Sequence, residues 1–294
     1  MEKKGSYLVS KASLDMMERG YHLTYYDTGT NQTGFVHYHD YYEVIVYMGE
    51  DVLYQLEGSE YTVRRGDVIL CRMFENHVLE CRDNEHHQRL SLGIDARNLQ
   101  ETSVHDVNLL RIFSQDNSNY PILHLEMEQL TDYVQVLERY RKIQRSAGAE
   151  KPVLEKSLVA CILGYLFRDC CKGLDSGQNA DPRAEKVAKI LEYVEENLEK
   201  DLMLESISAE FNYSVSHICR LFREVTGNTL ASYITEKRIS LARQLLYGDM
   251  PIMEVARLSG FHNYSNFYKT FKKSMGIGPE AYRNEQIRNQ NSKI

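Results

Sequence analysis

The last ninety residues of the chain carry one helical pattern twice, and this duplication limits what the chain can fold into more than any other feature. Ile218, Phe222, Arg223 and Gly227 recur 49 positions later as Phe267, Phe271, Lys272 and Gly276. Upstream of a turn the offset is 48, where Ser208, Asn212 and Tyr213 correspond to Ala256, Gly260 and Phe261, so the second turn holds one extra residue. Each copy has the layout of two short crossing helices. Ser208 and Ala256 are small enough to let the second helix pack across the first. Asn212 and Gly260 suit a turn that demands positive φ. Tyr213 and Phe261 follow as buried anchors, and Ser214 and Asn263 supply side-chain oxygens to cap the second helix. Gly227 and Gly276 are placed to stop it.

The second helices bury Ile218, Leu221 and Phe222 in one copy and Phe267 and Phe271 in the other, at the spacing of a core-facing stripe. Their opposite faces carry Ser216, His217, Cys219, Arg220 and Arg223 in the first copy. In the second they carry Tyr264, Ser265, Tyr268, Lys269, Lys272 and Lys273. One helix fits a major groove about 12 Å wide, where such side chains read base edges. Arg220 is the leading candidate for a base contact and Lys269 holds the equivalent place. The helix starts at Ser214 and Asn263 can direct backbone amides at phosphates. A single polar face would be read as solvated surface; its duplication favours a DNA face.

Residues 229 to 246 between the copies read as one helix, about 27 Å long at 1.5 Å per residue. Leu230, Tyr233, Ile234, Leu241 and Leu245 are expected on its buried side. Such a spacer would set two recognition helices into groove segments roughly 34 Å apart. The strings SVSHICRLFREVTG and PIMEVARLSGFHNYSNFYKTFKKSMGIGPEAYR, ending on Pro279, Tyr282 and Arg283, resemble the DNA-binding domain of the AraC/XylS family of bacterial transcription regulators. The resemblance covers about 185 to 283 and implies sequence readout at Ser216, Cys219, Arg220, Tyr264, Ser265, Tyr268 and Lys269. Two positions depart from the family pattern. Asn212 replaces the usual turn glycine, and Gly278 stands where threonine commonly precedes the proline, an exchange expected to loosen the last cap.

Charge is compatible with a DNA face. Residues 201–294 carry 12 Lys and Arg against 9 Asp and Glu, while the rest carries 23 against 33, giving the formal −7 of the whole chain. Acidic proteins bind DNA when basic groups share one face. A balance so modest argues against an architectural protein that bends DNA without sequence choice. No run of 18 apolar residues suggests a membrane span. The N-terminus MEKKGSYLVSKASLD lacks the apolar core of a secretion signal. Six cysteines show no metal-finger spacing, and adjacent Cys170 and Cys171 do not suggest a disulfide framework. The expected location is therefore the cytoplasm.

From Tyr21 to about Asp95 the chain breaks into short segments of strand length, YHLTYYD, EVIVYM, DVLYQLEG, EYTV, RRGDVILC, HVLEC and RLSLGID, the spacing of a sandwich or barrel. His37, His39 and Glu43 share odd parity, so a strand would aim them into one interior, and His77 follows the Gly66–Asp67 turn. The set resembles the metal motif of cupins. Three nitrogens and a carboxylate could hold a divalent transition metal, the one cofactor this chain suggests. The alternatives are an effector-facing polar cluster, as the resemblance to AraC/XylS sensor domains implies, and satisfied core histidines. Tyr38, Tyr41, Tyr42, Tyr47 and Tyr54 crowd the region and would suit a polyol or sugar pocket or half-exposed strands. His86 and His87 read as a polar approach to a strand.

Two helical segments follow. From His124 the stripe is Leu130, Val134, Leu137 and Tyr140; from Val153 it is Leu158, Ile162, Tyr165 and Leu166. The fold class expected is α+β and multidomain: a cupin-like β-barrel over 1–120, a helical connector over 121–175, a linker over 176–184 and an all-α tandem helix-turn-helix domain over 185–294. The function this implies is a sequence-specific regulator, more readily an activator than a repressor, modulated by a small molecule in the barrel. Its partners would be promoter DNA, the effector, RNA polymerase if it activates and a second copy of the chain, with no membrane. The rival reading is a cupin metalloenzyme, a sugar isomerase or oxygenase, with an accessory helical half.

Overall fold

The computed structural model describes residues 16, 19–28, 36–80, 87–104, 107–114, 117–171 and 182–284. The chain forms two compact units, the first principally up to Ala188 and the second principally from Lys189. Most of the linker expected over 176–184 lies outside the described residues, as do Cys81 and His86. Helix already begins at Pro182.

Every strand segment read from the sequence is a strand. They are β1 (Tyr21–Thr28), β2 (Tyr42–Tyr47), β3 (Val52–Leu56), β4 (Ser59–Val63), β5 (Asp67–Cys71), β6 (His77–Glu80) and β7 (His87–Ile94). An eighth, β8 (Ile122–His124), completes a five-stranded sheet in the order β1-β7-β2-β5-β8, and β4-β3-β6 forms a second sheet of three. All pairings are antiparallel. The β3–β4 hairpin turns on Glu57 and Gly58, both at positive φ, in the two-residue geometry that matches strand twist.

Side-chain alternation then sorts the first unit into two cores. Ile45, Tyr47, Val52, Tyr54, Leu56, Val63, Ile69, Cys71 and Leu79 meet between the sheets. Val44, Val46, Val68, Leu70, Leu90 and Leu92, of opposite parity on the large sheet, are buried as well. Besides β8, two further elements were not foreseen, α1 (Ala96–Thr102), capped by Asp95, and a 3-10 turn at Leu109–Phe113. Tyr42 stacks on Phe113 with ring centroids 4.4 Å apart.

The first connector helix, α2 (Met127–Gln144), starts after His124, which closes β8 and pairs with Asp67. Its buried stripe is Leu130, Tyr133, Val136, Leu137 and Tyr140, so Tyr133 and Val136 replace Val134, which is only half-buried. The second, α3 (Lys151–Cys170), opens on Pro152 in its first turn, where a missing amide costs nothing. Tyr165 is half-buried, and two acids are buried instead. Asp169 accepts from Gln129 Nε2 at 2.7 Å and Tyr133 Oη at 3.1 Å; Glu155 pairs with Arg19 at 2.9 Å. Such partners are what make a buried carboxylate tolerable.

The second unit is helical throughout: α4 (Pro182–Glu196), α5 (Leu204–Glu210), α6 (Val215–Thr226), α7 (Leu230–Leu245), α8 (Ile252–Leu258), α9 (Tyr264–Met275) and a last turn, α10, at 279–284. Among the described residues no helix is long and apolar enough to cross a membrane.

Candidate nucleic-acid interface and barrel cluster

Both copies of the repeated pattern fold as helix-turn-helix units, α5–α6 and α8–α9. Ser208 and Ala256 are buried at the crossings. Asn212 takes φ 56° and Gly260 φ 82°, the left-handed turn that their spacing demanded. A Cβ on Gly260 would lie 2.1 Å from the Leu198 carbonyl oxygen, so no other residue fits there. Phe261 is buried, but Tyr213 is only half-buried and rests against His217, with centroids 4.9 Å apart, which corrects the expectation of two equal anchors. Ser214 Oγ accepts from the His217 amide at 3.3 Å, and Asn263 Oδ1 from the Asn266 amide at 3.1 Å. Gly227 and Gly276 end the helices at φ 80° and 74°.

α7 is shared between the copies. Its first half supplies Leu230, Tyr233 and Ile234, and Tyr233 meets Phe222 at 5.4 Å between centroids. Its second half packs Ile239, Ala242 and Leu246 with Val255, Phe261, Phe267, Phe271 and Tyr282. Leu241 and Leu245 are half-buried, because one 3.6-residue stripe cannot serve two cores on different sides of a helix. The helix is about 24 Å long by its 16 residues. Tyr282 packs on Phe271 at 5.5 Å, and Arg283 Nη2 donates to the Met250 carbonyl at 2.5 Å, so these two signature residues hold the fold.

With the cores filled, the polar faces are outward. Ser214, Ser216, Arg220 and Arg223 are exposed on or beside α6, with His217 and Cys219 half-exposed. Asn263, Tyr264, Ser265, Tyr268, Lys269, Lys272 and Lys273 are exposed on or beside α9. His262 and Asn266 are exposed at the start of α9 as well; the sequence reading passed over both, although Asn266 lies one residue from Ser265 in the first turn.

In the first unit the expected histidines do gather, though not as strand neighbours. Residues 38–41 form no strand, and His37 meets His77 through an isolated bridge, their ring centroids 4.4 Å apart. His37 is exposed; His39 and His77 are buried. His39 Nε2 lies 3.3 Å and His77 Nε2 3.4 Å from Glu43 Oε2, while Ser91 Oγ donates to Glu43 Oε1 at 2.7 Å. The Nδ1 atoms face backbone carbonyls, His39 that of Tyr41 at 2.7 Å and His77 that of Glu75 at 2.9 Å. Burial pushes the Glu43 carboxyl up, but hydrogen bonds and charge from both imidazoles outweigh it and hold it well below the ordinary carboxylate range. Burial works to lower His77, and Glu43 raises it above the usual histidine value.

Cys71 sits opposite Glu43 across the β2–β5 ladder, its Sγ 3.2 Å from His77 Nδ1. Burial lifts its thiol well above the normal range. The ligand atoms that lie within 4.8 Å of one another belong to His39, Cys71 and His77. An ion held there would meet nitrogen and sulfur, which suits zinc better than iron or manganese. Alternation could have found Cys71, since it shares the parity of Ile69 on β5; its pairing with Glu43 depends on register. Of the tyrosines, Tyr47 donates to the Glu50 carbonyl at 2.6 Å and contacts His87 at 3.1 Å, while Tyr41 stacks on His39 at 3.9 Å. His87 is buried, where a polar strand approach was expected. Tyr54 Oη is buried without a hydrogen-bond partner among the described residues.

Comparison with known proteins bears directly on the helical unit. A family described as a helix-turn-helix domain matches residues 207–285. The multiple antibiotic resistance protein MarA of Escherichia coli (strain K12) is 34% identical over 109 residues, 37% of this chain and 84% of MarA. The chain belongs to the AraC/XylS family. A second family member, the HTH-type transcriptional activator RhaS of Mannheimia succiniciproducens, is 24% identical over 249 residues, 84% of this chain and 88% of that protein. Among solved structures, ToxT of Vibrio cholerae has the same fold across both units, with TM-score 0.54 at 16% identity, covering 91% of this chain and 99% of ToxT.

As an AraC/XylS protein the chain is a transcription regulator with a DNA-binding helix-turn-helix domain. RhaS is by name a transcriptional activator and none of these relatives is named as an enzyme, so the metalloenzyme reading raised by the barrel motif has no counterpart among them.

Proposed function

We propose that the protein reads two successive major-groove segments of a promoter through α6 and α9, and that a small molecule in the barrel governs this reading. The observation that carries the first part is the outward polar face of both recognition helices, with Ile218, Leu221 and Phe222 of one and Phe267 and Phe271 of the other buried. Arg220 and Lys269 are the base-reading candidates; Ser214 and Asn263 place helix N-termini toward phosphates. RhaS is by name an activator, which supports activation, with RNA polymerase as the partner an activator needs. The test is selection by the full chain from a pool of randomised duplexes at moderate salt. A two-part motif is the expected result, and enrichment of no motif overturns the reading.

The effector reading is supported by the unpartnered Tyr54 hydroxyl in the core between the sheets. Leaving Tyr54 Oη unsatisfied costs about 1–3 kcal/mol, a cost that a ligand removes. Glu43 is already engaged by Ser91, His39 and His77, so the interior leaves the Tyr54 hydroxyl as a donor and suits an effector that brings an acceptor of its own. ToxT has been solved bound to an unsaturated fatty acid, which supports small-molecule control in this architecture. A sugar remains compatible only through its own oxygens as acceptors. Changing His39 to Ala is expected to alter the response to the effector and leave DNA affinity without effector intact; equal loss of both would make His39 a fold residue. Val153 and Leu154, exposed on α3, are where a second copy would pack, and sedimentation of a Leu154→Glu variant tests it.

A further inference from the structure

Gly278 has no conformational reason to be glycine. Gly227, Gly260 and Gly276 all stand at positive φ, and Gly278 does not. Its carbonyl accepts from the Tyr282 amide at 2.9 Å, which makes it the residue before the first turn of α10. That position favours Ser, Thr, Asp or Asn, whose oxygen caps the helix. What excludes a side chain is Tyr268. A Cβ at 278 would lie 2.9 Å from Tyr268 Cε2 and from its Oη, and 3.1 Å from Cζ. The phenol end of Tyr268 therefore rests on the glycine backbone. Its other side is open: Tyr268 is 40% exposed on the outward face of α9, with its ring centroid 6.4 Å from that of Tyr264, which is 42% exposed.

We propose that Gly278 is a positioning residue for sequence readout, holding Tyr268 against the floor of α10 so that Tyr264 and Tyr268 meet one groove segment as a fixed aromatic pair. The proposal rests on the reading of α9 as a recognition helix. A ring already held in one rotamer loses less freedom on binding. Tyrosine at this place presents both an apolar edge, able to meet a thymine methyl, and a hydroxyl able to reach a base or phosphate. The clash a side chain would create falls on the far end of a movable ring. Adding one displaces Tyr268 while α8, α9 and α10 stay folded.

The experiment uses the full chain and the motif it selects from randomised duplexes, with Gly278→Thr, Gly278→Ala, Tyr268→Ala and the double change Tyr268→Ala/Gly278→Thr. Gly278→Thr is expected to lose about tenfold in affinity, with preference relaxed in one of the two segments and the melting temperature not lowered. Tyr268→Ala should relax the same base pairs, and Gly278→Thr should add nothing in that background. Unchanged affinity and preference in Gly278→Thr overturns the proposal and leaves the DNA reading standing. An equal loss with and without Tyr268 also overturns it, since the effect would then come from the cap. Should Gly278→Thr melt early, Gly278→Ala, which adds a single methyl group, is read by the same criteria. A wild-type chain that selects no motif overturns the DNA reading and this proposal together.

Discussion

The two helix-turn-helix units solve one packing problem with different residues. In α8–α9 the turn is Gly260, enclosed so tightly by Leu198 that any side chain is excluded, and the anchor Phe261 is fully committed to the core. In α5–α6 the turn is Asn212, exposed and free of that constraint, and the anchor Tyr213 is half-buried beside His217. Their outward faces differ in the same sense. α6 offers two arginines, a histidine and a cysteine, whereas α9 offers two tyrosines and three lysines. Arginine suits bidentate base recognition; lysine acts as a point charge on phosphate, and tyrosine as a shaped contact. The second unit is thus the more rigid scaffold, and the first carries the stronger chemistry for direct readout.

The largest effect that would sharpen this contrast is at the turns. Gly260→Ala should cost about 3–5 kcal/mol, from left-handed strain plus a backbone collision. Asn212→Ala should cost about 1 kcal/mol, since only the strain remains. Amide exchange of α9 and α6 in the full chain measures both. Equal protection loss in the two variants would break the contrast. The anchors come next: Phe261→Ala should cost about 3–4 kcal/mol and Tyr213→Ala about 1, by the same measurement, because a half-buried ring leaves little cavity.

Effects on DNA are expected to be smaller and of two kinds. Arg220→Ala should cost about 1–3 kcal/mol of binding, confined to one base pair, while Lys272→Ala should weaken all sequences alike and reduce the salt slope by about 1. Titrations against the selected motif and single-base variants, at several salt concentrations, separate these outcomes. A uniform loss for Arg220→Ala would erase the distinction between the two faces. The smallest difference lies in the caps. Ser214→Ala and Asn263→Ala should each cost about 1 kcal/mol, because both oxygens accept one first-turn amide at similar distances. A clear excess at either cap would reveal a further inequality between the units.

Much of this molecule could be read from its residues. Seven strand segments, both recognition helices, both turns and both capping side chains follow from periodicity and from residues whose backbone preference is strong. The readings that failed share one cause. Val134, Tyr165, Leu241 and Leu245 lie on amphipathic stripes, but how far each is buried depends on which neighbour the helix meets. Tyr213 fails in the same way, since nothing within its own helix pair reveals that its side of the turn stays open. His37 and His39 shared parity with Glu43, yet the chain before Tyr42 is not a strand, so parity did not place them. His39 nevertheless reached Glu43 by a turn of the loop.

Local rules suffice for elements and for the outward faces of repeated helices, because φ preference, capping and a hydrophobic period act within a few residues. Tertiary structure alone could bring Cys71 beside His77, seat Ser91 on Glu43 and lay Tyr268 on Gly278, since each pair is distant in sequence or joined only through a turn. Those meetings are set by strand register and helix crossing, which depend on how whole surfaces fit and not on any residue's own preference.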